Sequence, residues 1–123
     1  LTDSMRVDTS RMIADNPSSI IISRKTSTVT NGKKASSTDE LDAQTFRLYG
    51  KNKTERVREG DEFRFIRTRQ LRMLCEHDAD ILEHSDENED TFTLGKFYRI
   101  TDVREITWNG LVISKQCTLE EMS

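Results

Sequence analysis

Apolar residues in this chain come in short clusters that mostly alternate with polar ones, the period of half-buried strands rather than helices. In "AQTFRLYGK" Phe46 and Leu48 fall on one face, and Thr45, Arg47 and Tyr49 on the other. In "LRMLCEH" Leu71, Met73 and Cys75 share a face opposite Arg72 and Leu74. Ile20, Ile21 and Ile22 predict a short buried strand. The clearest segment is "GKFYRITDVREITWNGLVISKQCTLEE", two β-rich runs flanking Asn109-Gly110, a preferred hairpin dipeptide. Leu111, Ile113, Cys117 and Leu119 share one face of the second run. In the first run the apolar set changes parity between Ile100 and Val103, which predicts a bulge near Thr101 and Asp102. Asn31-Gly32 predicts another tight turn. One helical stretch stands apart. "VDTSRMIADNP" offers Asp8 or Thr9 as a cap, a small apolar face of Met12 and Ile13, and Pro17 as a stop.

These elements amount to five or six strands and one short N-terminal helix. The expected fold is all-β, a small antiparallel barrel or sandwich. Two polar stretches read as connections. "KKASSTDELD" is expected to be a loop. Residues 51–70 are mostly charge and are expected to form a long inter-strand loop, although Phe63, Phe65 and Ile66 would also suit an unusually long hairpin. The 123 residues suit a single domain, with residues 1–7 as an N-terminal tail. Met5 is a candidate native start, which makes residues 1–4 a candidate cloning remnant.

Composition adds a constraint. Apolar and charged residues each make up 33% of the chain, so the core is thin and polar surface plentiful. A subunit of this kind gains stability from neighbours. The net charge of −3 attracts no nucleic acid globally, but the charge is segregated. Residues 51–72 hold eight basic and four acidic side chains; residues 75–90 hold eight acidic ones and no Lys or Arg. Solvated loops, head-to-tail pairing of subunits, and a loop facing DNA all fit that pattern. Cys75 and Cys117 lack metal-type spacing and are expected to be buried free thiols, a disulfide being the lesser alternative. No apolar run approaches the ~20 residues of a membrane span, so no membrane partner is expected.

The stretch "CEHDADILEHSDENED" holds both histidines and invites a metal reading. His77 and His84 are seven apart, without the spacing that brings ligands onto one helical face. A calcium loop needs a central Gly, and here Ile81 and Leu82 occupy that place. The expectation is an acidic inter-strand turn with no metal and no cofactor. No nucleophile motif and no glycine cluster is present, so no enzyme is expected. Phe63 and Phe65 interleave with Arg, as in single-strand-binding grooves. Core packing is the favoured reading of both, because Phe is usually buried.

Read in order, "MIADNPSSIIISRKT", "QTFRLYGK" and "LRMLCEHDADILEHSDENEDTFTLGKFYRITDVREI" resemble the small head-closure (stopper, or head–tail connector) proteins of tailed phages and prophages. The resemblance rests on A-x-N-P at 14–17, an I-x-I-x-R strand at 20–24, T-x-R-L-Y at 45–49, D-A-D-I at 78–81 and G-x-F-Y-R-I-x-D-V at 95–103. It departs where a Gly-Asp pair often precedes the penultimate strand; here the acidic run 85–90 stands instead. The resemblance implies a virion neck protein made in the bacterial host cytoplasm. Such a protein forms a homo-oligomeric ring that meets portal or adaptor proteins on one side and tail proteins on the other. It also implies a loop projecting into a channel of packaged double-stranded DNA. Lys51, Lys53, Arg56, Arg58, Arg64 and Arg67 are then the DNA-facing candidates. Asp78, Asp80, Glu83, Asp86 and Glu87 are the subunit-interface candidates. Alternatives are an adaptor or tail-completion protein, a small single-stranded nucleic-acid-binding barrel and, least favoured, a metal-dependent module at 78–90.

Overall fold

A computed structural model describes residues 1–122, with side chains throughout except at 51–53, 55 and 66–69. One helix, α1 (Thr2–Asp15), precedes eight strands: β1 (Ser18–Ile20), β2 (Ser23–Thr30), β3 (Lys33–Glu40), β4 (Gln44–Glu59), β5 (Glu62–Glu76), β6 (Asn88–Leu94), β7 (Lys96–Trp108) and β8 (Leu111–Met122). All pair antiparallel in one sheet, ordered β1-β4-β5-β8-β7-β6-β2-β3, which curls into a half-barrel. The curl brings β1 close to β6. Ile21 and Ile22 carry the chain across that seam from β1 to β2. Ile22 is fully buried there, and its carbonyl accepts the Leu41 N–H at 2.9 Å.

The concave face holds the core: Ile20, Ile22, Phe46, Met73, Cys75, Ile81, Phe92, Ile100, Cys117 and Leu119. Six of the strands contribute, β5 and β8 with alternate residues as a pleated sheet requires, while β2 and β3 contribute none. Phe92 and Tyr98 are opposite one another on β6 and β7, with tilted rings 5.5 Å apart. The bulge falls as expected. Ile100 pairs with Leu119 and Asp102 with Thr118, so Thr101 is the extra residue. Its hydroxyl donates to the Thr118 carbonyl at 3.1 Å. Both Asn-Gly turns are present, with positive φ at Asn31 (53°), Gly32 (75°), Asn109 (50°) and Gly110 (77°), the conformation type I′ hairpin turns need. A second irregularity, between Ile106 and Thr107, leaves Ile113 without a partner. It separates Leu111, which is exposed at the hairpin tip, from the buried Ile113, Cys117 and Leu119.

Several sequence expectations are corrected. Residues 1–7 are not a tail, because all but Leu1 are helical. Nothing in them breaks a helix, and Arg6 anchors the helix to β8 by donating to the Val112 carbonyl at 3.0 Å. Thr9 is therefore mid-helix, bonded to the Met5 carbonyl, and neither it nor Asp8 is a cap. The helix lies against β4, β5 and β8 on the convex face. It covers Leu74, which the alternation places with Arg72 on the face opposite Met73 and Cys75. "KKASSTDE" is not a loop but β3, held along its whole length by β2 in continuous register from Ser23–Glu40 to Thr30–Lys33. The acidic run hides the start of β6. The strand count is eight, not five or six, because pairing comes from backbone groups that polar residues supply as well as apolar ones.

Cys75 and Cys117 lie on neighbouring strands with their sulfurs 3.8 Å apart, both buried as free thiols. The contact with Cys117, and then burial, push the Cys75 thiol well above its ordinary range. The thiolate is the reactive form. An aromatic disulfide reagent at neutral pH should therefore leave both thiols unmodified in the folded protein and titrate two per chain after denaturation. Fast labelling of the native protein would contradict this packing.

Candidate functional site

Two regions carry the charge that the sequence singles out: the projecting hairpin of β4 and β5, and the crossover from β5 to β6.

Of the two forms open to residues 51–70, the structure takes the unusually long hairpin and not the long inter-strand loop. Residues 51–70 continue two core strands outward in unbroken register, from Arg47–Leu74 to Glu59–Glu62. Gly60, with φ 65°, and Asp61 close the turn. The base is held on both flanks. Gln44, Thr45 and Phe46 pair with β1, and residues 72–76 pair with β8. Beyond that base the two strands have only each other. At ~3.3 Å per residue the nine residues 51–59 span about 30 Å. Directly opposite residues share a face in an antiparallel pair. Arg58 opposes Phe63 and Arg56 opposes Phe65, so these four side chains lie on one face. Phe63 is 53% and Phe65 70% exposed, which overturns the core reading of both. The hairpin extends past the half-barrel, and among the described residues no second layer covers it. The Arg56 guanidinium stacks over Phe63, 3.7 Å from the ring centroid. Arg58 Nε donates to the Gly60 carbonyl at 3.1 Å. The other face carries Val57, Glu59, Glu62 and Arg64, with Glu59 and Arg64 3.7 Å apart. Of the six basic candidates, Arg56, Arg58 and Arg64 are exposed; the side chains of Lys51, Lys53 and Arg67 lie outside the described residues.

The crossover is pinned rather than free. Asp90, fully buried, faces Arg24 in the β2–β6 register and takes a bidentate bond from it: Nε to Oδ1 at 2.9 Å and Nη2 to Oδ2 at 3.0 Å. The Leu82 N–H adds a third bond, at 2.7 Å. Arg24 Nη1 reaches out to Asp80 at 2.8 Å. The hydrogen bonds it donates to Asp90 hold the Arg24 guanidinium firmly charged against the opposing cost of burial. The Gln44 side chain exchanges two bonds with the Asp80 backbone. Lys115 donates to the Ala79 carbonyl, and Glu83 accepts the Val103 N–H.

Asp80 and Glu83, two of the interface candidates, thus have work within the chain's own fold. Asp78, Asp86 and Glu87 are exposed, although the Glu87 carbonyl accepts the Ser27 N–H. Sequence reasoning missed the Arg24–Asp90 pair, because nothing distinguishes Asp90 from the acids around it. Among the described residues no three His, Cys, Asp or Glu side chains converge as metal ligands. His84 lines a polar cleft in which Lys25 and Lys34 face Asp86 and Glu89. No helix of the described residues is long and apolar enough to cross a membrane. Compared with known proteins, the chain matches no family model, no curated protein and no solved structure.

Asp90→Ala would leave the Arg24 charge half-enclosed without its main partner. The expected loss of unfolding free energy is about 3–5 kcal/mol, as for breaking other buried pairs, and urea unfolding measures it. A loss below ~1 kcal/mol would mark the pair as a solvated surface contact. His77→Ala with His84→Ala should leave the melting temperature unchanged in both chelator and zinc. A zinc-dependent rise that the double variant abolishes would establish a metal site.

Proposed function

We propose that this chain is a virion structural protein of a tailed phage or prophage. In this reading copies of it form a head-closure ring below the portal, seal the DNA channel and offer the tail a surface to attach to. It acts by assembly, without catalysis, and belongs in the neck of the particle. The motif resemblance at 14–17, 20–24, 45–49, 78–81 and 95–103 brings in the family. The observation that carries the reading is the hairpin. A compact body holds its base, and Arg56 and Arg58 stand exposed on a face that nothing in the subunit covers. In a ring, several such arms would converge on the axis. Packaged duplex would then meet arginines that favour phosphate contact and need no base sequence. The crossover, with Asp78, Asp86 and Glu87 exposed, supplies an opposite charge for a neighbouring subunit. Portal or adaptor proteins on one side and tail proteins on the other are the remaining partners.

The exposure of Phe63 and Phe65 favours a second reading from another class, a single-stranded nucleic-acid-binding arm on which bases stack.

Two experiments separate the readings. Replacing 51–70 with an Asn-Gly turn should preserve the body, since among the described residues the core lies wholly outside that segment. Particles assembled with the shortened chain should leak DNA or fail to join tails. Normal DNA retention and tail joining would rule out the gate. In solution, Phe65→Ala should weaken binding of single-stranded oligonucleotide by about 1–3 kcal/mol if bases stack on it, and should leave duplex binding unchanged. Arg56→Ala with Arg58→Ala should instead reduce the salt dependence of duplex binding, lowering the slope of log K against log salt by about 2. Measurable loss only in the first assay favours the single-strand arm.

A further inference from the structure

We propose that two copies of this chain pair edge to edge through β3, antiparallel and about a two-fold axis. The sheet has two end strands, β1 and β3. β1 is three residues long; β3 is eight, and every one of its residues is exposed. Along one side β3 is bonded to β2 without interruption. Along the other, alternate backbone N–H and C=O groups face water, a template for a further strand. The strand carries no Pro and no bulge, two of the devices that guard such an edge, and what guard it has is charge at its two ends.

Its charges choose the occupant. "KKASSTDE" has Lys33 and Lys34 at one end and Asp39 and Glu40 at the other. A two-fold axis perpendicular to the sheet keeps each residue's face, so odd positions meet odd and even meet even. Centred on Ser36, Lys33 lies directly opposite Asp39 of the second copy, and Lys34 lies diagonal to Glu40 on the other face. Centred on Ser37, the two relations exchange. Either register matches all four charges on each strand with opposite ones, at the separations over which cross-strand pairs interact. A parallel, in-register approach would set Lys beside Lys and Asp beside Asp, and is disfavoured. The contact is self-complementary and uses the β3 edge of both copies, so it closes at two copies rather than growing into a filament. It is small and polar, below the usual size of a stable interface. The dimer should therefore be favoured by high protein concentration and weakened by salt. Nothing in it depends on the head-closure reading.

Sedimentation of the whole chain over a range of concentrations at low salt tests the proposal. The wild type should dimerise, and added salt should raise its dissociation constant several-fold. Lys33→Glu with Lys34→Glu makes the edge wholly acidic; Asp39→Lys with Glu40→Lys makes it wholly basic. Each variant alone should be monomeric. Mixed in equal amounts they should form a heterodimer, and that recovery also shows that both are folded. A monomeric wild type would overturn the proposal. So would variants that self-associate as the wild type does, a mixture that stays monomeric, or closed species larger than a dimer.

Discussion

The body of this protein depends on one buried ion pair. Arg24 on β2 and Asp90 on β6 face each other across the ladder, and Asp90 also takes the backbone N–H of Leu82. The crossover and a strand 66 positions away therefore meet at one carboxylate. The pair holds β2, and with it β3, onto the end of the sheet. It also fixes the crossover, so that Ile81 enters the core. A thin core has little apolar area with which to position such a crossover. A charge that cannot be left unpaired enforces position where packing alone would be permissive.

The rest of the body follows from alternation and closure. Phe46, Met73, Cys75 and Cys117 sit fully or almost fully buried on adjacent strands. The bulge at Thr101 lets β7 change parity while keeping both Ile100 and Val103 turned inward. The helix caps the opposite face over Leu74. Enclosure on both faces is confined to this region. Away from it the hairpins rely on backbone pairing, and their side chains stay in water.

That division explains what could be read from the sequence. Where burial governs, residue type reports structure: both Asn-Gly turns, the bulge, the apolar faces around Phe46 and Met73, and the all-β class were all legible. Where pairing alone governs, it does not. β3 has one small apolar residue in eight and no periodicity, yet it is a strand because Asn31-Gly32 turns the chain back onto β2. The outer hairpin looked like a loop for the same reason, although Gly60-Asp61 marked its turn. Phe63 and Phe65 misled in the opposite sense, since their apolarity suggested a core that does not extend that far. Asp90 lay concealed in a run of acids whose other members face water or the rim of the fold. Its burial depends on a partner 66 positions away.

The continuity of β4 and β5 has a mechanical consequence. No hinge, glycine cluster or bulge separates Phe46 and Met73 in the core from Phe65 near the tip. A load applied at the tip is borne at the base by hydrogen bonds to β1 and β8. A strand cannot slip by one residue there without turning its core side chains outward. The arm therefore works as a cantilever, bending elastically along its length and passing torque into the body.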